Sequence, residues 1–408
     1  VSNFPQLWAS NERGKVPMGW TVSPSASLLI PDILNYYYST ATPNDAFLGA
    51  VSGVGYTYPD SYGLRYKPEL RSDVFDGFLS QTERYMKRAG LRSLWIMNAT
   101  QPEKIRRYAE RIGTLEALFP DYGRRVSGYS EATYPSARNV PVFHAVTGWT
   151  ENATKEQRIA QMVSEIRSIT PLERPAFLHV FIWNWGADMS IYPEVMKRLG
   201  PAYVAVRPDH LAALYRQNMQ KRQLLVRIPE HMLALEGRPV QLNVTLHNVG
   251  GSAMDAKIRV SGSADDGQAT PSSVTLQPGE PVDVAVAGTP AGDELGLLIQ
   301  TSAGERRYSV PVRRIAASEF DAEALPQGTL RFVRRYEGET LAHNSGAVAT
   351  DAGASNSAIW RADATTAKPG EVVFGPYAPL PAGKYVAIFR LKGGGSGVIG
   401  KVDTCVGG

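Results

Sequence analysis

Apolar and polar positions along residues 1–217 switch repeatedly between two periods. Short apolar runs at 15–21, 46–52, 91–97, 125–130, 140–147, 176–183 and 203–206 read as strands. Helical spacing occupies 27–39, 70–89, 102–118, 154–169, 193–199 and 208–217. In 70–89 the spaced apolar residues are Val74, Phe78 and Tyr85, and Gly90 follows as a stop. Pro102 sits where a helix tolerates proline, and Thr154 where a helix wants a cap. Strand and helix in alternation predict parallel βαβ units. Unbroken apolar strands such as 177–182 suit a sheet covered on both faces. Beyond residue 224 the period drops to two, with runs at 241–247, 256–261, 273–276, 282–286, 296–301 and 307–312 separated by Gly, Pro, Asn and Asp. That is the pattern of a β-sandwich. Residues 328–408 again read as strands, at 340–351, 358–361, 371–377 and 383–391.

Composition narrows the function classes. The 408 residues are 43% hydrophobic and 20% charged, with a net charge of +4 and no long basic run. Scattered lysines and arginines describe a solvated surface, so no nucleic-acid partner is expected. No apolar run reaches about 18 residues, so no membrane span is expected. One cysteine, Cys405, excludes an internal disulfide and a thiolate cluster. The histidines His144, His179 and His210 form no ligand pair, so the expectation is no metal and no cofactor. A metal site remains open only through ligands lying before Val1.

The stretch with the least core-like composition is 52–60, Ser-Gly-Val-Gly-Tyr-Thr-Tyr-Pro-Asp. Gly53 and Gly55 admit backbone angles closed to other residues and let a ligand approach the main chain. Tyr56 and Tyr58 offer flat faces with polar tips, and Pro59 stiffens the exit. A ligand-facing loop and a tight turn topped by surface tyrosines both fit this composition.

Residues 53–59 also carry every fixed position of Gly-x-Gly-Tyr-x-Tyr-Pro, flanked by Pro17-Met18-Gly19-Trp20-Thr21, Tyr36-Tyr37-Tyr38 and Thr40-Ala41-Thr42-Pro43-Asn44-Asp45. On these residues the chain resembles the GxGYxYP family of putative glycoside hydrolases over about 1–217. The resemblance implies a carbohydrate substrate, a polysaccharide or an oligosaccharide, and a secreted, cell-surface or periplasmic protein of bacterial type. The segment 224–315 resembles the immunoglobulin-like accessory modules of glycan-processing proteins, with spacer as its expected role. The segment 328–408 resembles jelly-roll carbohydrate-binding modules, through His343-Asn344-Ser345-Gly346 before Trp360, Gly375–Tyr377, and Pro-Ala-Gly-Lys-Tyr at 381–385. The expected fold is therefore multidomain α/β plus β. Residues 1–220 form a barrel-like α/β domain with parallel strands, whose first strands lie before Val1. An immunoglobulin-like sandwich occupies 224–315, and a truncated jelly-roll-like domain occupies 328–408. An open doubly wound sheet is the alternative for the first domain. Oligomeric state is not legible.

In a βα barrel, ligands bind at the carboxyl ends of the strands. Asn44 and Asp45 precede their strand and are expected to cap or turn. Past strand ends lie Asp60, Asn98, Glu131, Glu151, Asn184, Trp185, Asp188 and Asp209. Glycoside hydrolysis uses two carboxylates, about 5 Å apart for retention and roughly 6.5–9.5 Å for inversion. Asp209 and Glu151 sit near helix starts and are set aside. Glu131 and Asp188 are the expected catalytic pair, with Asp60 third. Asp188, beside Trp183 and Trp185, is expected to have a raised pKa that suits a general acid. Gly53, Gly55, Tyr56, Tyr58, Asn98, Asn184 and Trp185 are the candidate substrate-binding residues. Trp183 serves equally as core, and Asn98 and Asn184 equally as loop caps.

Overall fold

The computed structural model describes residues 4–97, 99, 101–120, 133–145, 154–168, 170, 174–182, 187–229, 232–302, 304–316, 330–332, 336–354, 357–363, 365, 367–375, 384–394 and 400–404. The first region contains, in chain order, α1 (Phe4–Trp8), β1 (Met18–Val22), α2 (Ala26–Leu29), α3 (Pro31–Ser39), β2 (Asp45–Gly49), α4 (Arg71–Ala89), β3 (Ser93–Ile96), α5 (Pro102–Arg111), β4 (Ala117–Pro120), β5 (Thr133–Pro135), β6 (Pro141–Phe143), α6 (Lys155–Ser168), α7 (Ile191–Leu199) and α8 (Pro208–Gln220). Its sheet has the order β1-β2-β3-β4-β6-β5. The first five of these pair in parallel, and β5 runs antiparallel to β6. An isolated parallel bridge, Ala145 to His179, brings residues 177–182 alongside the end of β6.

Both faces of this sheet are covered, as the unbroken apolar strands require. Leu94, Ile96, Leu118 and Val142 face α4 and α5 through Phe78, Leu79, Met86, Ile105 and Tyr108. The alternate residues Trp95, Met97, Phe119 and Phe143 face α8 through Ala212, Tyr215 and Met219. Helix α4 ends where Gly90 adopts φ 69°, a left-handed angle that costs glycine nothing. Helix α6 opens with a reciprocal capping box, in which Gln157 N–H donates to Thr154 Oγ1 (3.2 Å) and Thr154 N–H to Gln157 Oε1 (2.8 Å).

Four expectations change: first, the strand expected over 176–183 is reduced, among the described residues, to the single bridge at His179. The helix expected over 102–118 stops at Arg111, and 117–120 becomes β4 in the middle of the sheet. The helix expected over 27–39 breaks at Ile30, because Pro31 disfavours the helical region in the residue before it. Residues 203–206 form no ladder. The parallel α/β class stands, and among the described residues no ladder joins β1 to 177–182, so the sheet is open there. The strand expected at 125–130 lies outside the described residues.

The second region holds β7 (Leu224–Arg227), β8 (Met232–Leu235), β9 (Val240–Asn248), β10 (Met254–Ser261), β11 (Gln268–Thr270), β12 (Ser273–Leu276), β13 (Pro281–Gly288), β14 (Glu294–Thr301), β15 (Gly304–Ile315) and β16 (Leu330–Arg331). One sheet runs β12-β10-β14-β15-β8; the other runs β11-β13-β9-β16, with β7 also on β9. They share one core that includes Leu242, Val244, Leu246, Ile258, Val284, Leu297, Ile299 and Val310. Every period-two run of 241–312 falls inside one of these strands. Farther on, β17 (Ala342–His343) pairs with β20 (Val373–Phe374), and β18 (Ala347–Thr350) with β19 (Ala358–Arg361). The strand expected at 383–391 has no ladder among the described residues.

Candidate active site

The loop at 52–60 leaves β2 at the carboxyl edge of the parallel sheet. Its first half is bolted to neighbouring elements. Ser52 is fully buried and left-handed at φ 66°. Its N–H donates to the Trp95 carbonyl (3.0 Å), its Oγ accepts from Met97 N–H (2.9 Å), and its carbonyl accepts from the Tyr108 hydroxyl (2.6 Å). Val54 N–H donates to Thr82 Oγ1 at 3.1 Å. Gly53, at φ 147°, lies so close to α4 that a Cβ would stand 2.5 Å from Thr82 Oγ1 and 2.6 Å from Phe78 Cζ. Only glycine fits there.

Past Gly55 the loop turns outward. A Cβ on Gly55 would meet no atom within 4 Å. Tyr56 and Tyr58 are 65% and 43% exposed, with centroids 5.9 Å apart and ring planes at 74°. The Tyr56 hydroxyl donates to Met97 Sδ at 3.5 Å, and the neighbouring Tyr56 hydroxyl raises the Tyr58 pKa above the ordinary phenol value. These rings form an edge-to-face pair open to solvent, not core. Asp60 then accepts the Gln101 N–H (3.3 Å) at the start of α5. Lys104, one turn along α5, lies over the Phe75 ring at 4.0 Å; burial lowers its pKa, against the opposing pull of Asp60 and Asp76.

Asp188 stands at the start of α7. Its Oδ1 accepts from Ser190 N–H (2.9 Å) and Ser190 Oγ (2.6 Å), and Ser190 Oγ in turn takes a hydrogen bond from Lys155 Nζ (2.7 Å). The hydroxyl of Ser190 first, then its N–H and the Lys155 and Arg158 charges, outweigh burial and hold the carboxyl below its usual pKa. The raised pKa expected for Asp188 is therefore corrected: donors, not apolar surroundings, dominate its environment. Glu131, Asn98, Asn184 and Trp185, with Trp183 and Glu151, lie outside the described residues. Asp209, as expected, sits in the first turn of α8, where it pairs with Arg207 (2.7 Å).

The opposite edge of the sheet is closed. Asp45 is 6% exposed and accepts from Arg13 Nη1 (2.6 Å), Trp20 Nε1 (2.7 Å), Thr42 N–H (2.8 Å) and Thr42 Oγ1 (2.8 Å). Burial works to raise its pKa, but these donors hold it below the usual range. The capping role expected of Asp45 is the one seen. Asn44 ties the same corner to the Gly14 carbonyl (2.6 Å).

Sequence reasoning missed Thr82, Met97 and Tyr108, which hold the loop from α4, β3 and α5. Local pattern marks each as ordinary core. Of the histidines, His144 contacts the Tyr134 hydroxyl (3.2 Å) and His179 the Phe143 carbonyl (3.1 Å). Burial pushes the His179 pKa down to about 4. Among the described residues no group of three or more His, Cys, Asp or Glu stands where it could hold a metal, and no described helix is long and apolar enough to cross a membrane.

Comparison with known proteins adds a family. No curated protein matches the chain. A putative hydrolase from Bacteroides thetaiotaomicron is similar at 21% identity and TM-score 0.44, over 53% of this chain and 42% of that one. The MSP-domain-like protein SSP-19 of Caenorhabditis elegans is similar at 16% identity and TM-score 0.18, over 21% of this chain and 94% of that one. PapD-like domain 7 of human CEP192 is similar at 12% identity and TM-score 0.18, over 23% and 87%. At these scores the fold has to be argued from the sheets themselves. Residues 1–216 match the family model described as "GxGYxYP putative glycoside hydrolase C-terminal domain". That is more than half of the chain, and the chain belongs to this family.

Proposed function

We propose that the chain is part of a glycoside hydrolase that acts on a polysaccharide or oligosaccharide through carboxylate acid/base chemistry. The observation that carries this reading is the exposed Tyr56–Tyr58 pair, held on an anchored loop at the carboxyl edge of a parallel sheet. Pyranose C–H faces pack on such rings, while the phenol tips take hydroxyls. Gly55 lets the substrate approach the main chain, whereas Gly53, expected to do the same, is buried against Thr82 and Phe78 of α4 and serves the loop's anchorage; Asn98, Asn184 and Trp185 complete the sugar contacts. Asp188, held ionised by its donors, suits the nucleophile or base. Glu131 takes the acid role, with Asp60 as its alternative. The α/β region is barrel-like, the sandwich is immunoglobulin-like, and 328–408 is a jelly-roll carbohydrate-binding module. The protein works outside the cytoplasm.

A second reading, glycan capture without cleavage, is favoured by a specific observation. Asp60 and Asp188 both already bond the first residues of helices, a structural role that leaves the tyrosine platform intact. Reducing-end release from a polysaccharide panel separates the two readings. Hydrolysis predicts release that survives chelator and is lost in Glu131→Gln and Asp188→Asn. Retention on a glycan without release selects capture, and release in both variants ends the carboxylate assignment.

A further inference from the structure

The family match ends at residue 216, yet the fold does not divide there. The sandwich meets the amino edge of the parallel sheet at residues 135–139. Arg138 N–H donates to the Gly279 carbonyl (2.9 Å), and His247 Nε2 lies 2.8 Å from Asn139 Oδ1. Gly279 has φ +76°, and a Cβ on it would stand 3.2 Å from Arg138 Cα. Leu225 and Val249 join Ala117, Phe143, Tyr215 and Met219 in one apolar cluster. The most directed contact is Arg227 of β7, whose guanidinium lies 4.0 Å over the Tyr134 ring of β5. A cation over a buried aromatic face fixes that ring's plane. The Tyr134 hydroxyl in turn lies 3.2 Å from His144 Nε2, just past the carboxyl end of β6. Tyr134 and His144 are 7% and 1% exposed.

We propose that the sandwich is a base plate of the hydrolase region rather than a spacer, and that Arg227 is a positioning residue. It acts through Tyr134 and His144 on the carboxyl end of β6, where the active-site edge begins. The base plate rests on the contacts above, and its effect on turnover rests on the proposed hydrolase reading. The whole chain is compared with Arg227→Ala, Arg227→Lys and Gly279→Val by calorimetry, by the His144 imidazole resonance, and by reducing-end release below any unfolding temperature. The expected wild type unfolds its α/β region and sandwich in one transition. Gly279→Val lowers or splits that transition by about 3 °C. Arg227→Ala shifts the His144 resonance and cuts kcat roughly tenfold with KM unchanged, and Arg227→Lys restores most of both. Two independent transitions in the wild type overturn the base plate. An unmoved His144 resonance in Arg227→Ala overturns the positioning role. Absence of wild-type glycan turnover removes the hydrolase reading alone, because calorimetry and the resonance still decide this proposal.

Discussion

The two ends of the parallel sheet are built on opposite rules. At the amino edge the buried charge is answered: Asp45 takes four donors in a buried corner, and the sandwich closes over residues 135–139. At the carboxyl edge two tyrosines are left facing solvent on a loop whose root is fixed by buried hydrogen bonds. Apolar surface and hydrogen-bonding capacity are thus consumed at one end and kept available at the other. The lesson is that buried, satisfied polar residues of a family stretch report on folding, while its exposed aromatic ones are the candidates for ligand contact.

Mutations at the two edges should therefore separate stability from binding. The largest loss is expected for Asp45→Ala, which leaves the buried Trp20 Nε1 without an acceptor and takes the counter-charge from Arg13. It should cost about 4 kcal/mol in chemical denaturation, with glycan affinity of the folded fraction unchanged. Next comes pH. Burial first, then the Arg227 and Arg106 charges, push the His247 pKa to about 4. A histidine depressed below its unfolded value of about 6.5 gives full stability above that pH and loses it on acidification. The share of stability linked to His247 should fall by about 3 kcal/mol between pH 6.5 and 4, and His247→Gln should remove that share in urea titrations, leaving the slope due to His179.

Gly53→Ala drives a methyl into Thr82 and Phe78 and should cost about 2 kcal/mol. Gly55→Ala, with open space around it, should cost less than about 0.5 kcal/mol. Equal effects at the two glycines would erase the division between root and tip. Tyr56→Ala or Tyr58→Ala should weaken glycan retention about tenfold, or about 1.4 kcal/mol, with thermal stability unchanged. A loss of stability instead would make the pair part of the core.

Much of the comparison was legible in the residues. The alternation of periods placed β1 to β3, α4, α6, β9, β10 and β12 to β15, since local pattern and tertiary burial agree there. Asp45 was placed at the structural edge simply because it precedes its strand. β4 was lost because the apolar residues at 115–119 continue the spacing of α5; a tertiary choice, not a local signal, ends that helix at Arg111. Thr82 and Tyr108 were invisible as anchors, because a helix residue's partner 28 or 56 positions away leaves no trace in periodicity. Asp188's sign was misjudged because a serine two residues on outweighs nearby rings in setting a carboxyl's proton affinity.

The open space around Gly55 has an evolutionary reading. The chain before it is fixed by β3, α4 and α5, so change there is penalised in folding. At Gly55 and at the exposed rings of Tyr56 and Tyr58, side chains can be exchanged with a smaller thermodynamic penalty, and a descendant or a designer can vary these positions without first acquiring compensating mutations elsewhere. The loop thus has a heritable frame and an adjustable tip, and the border between them is a single residue wide.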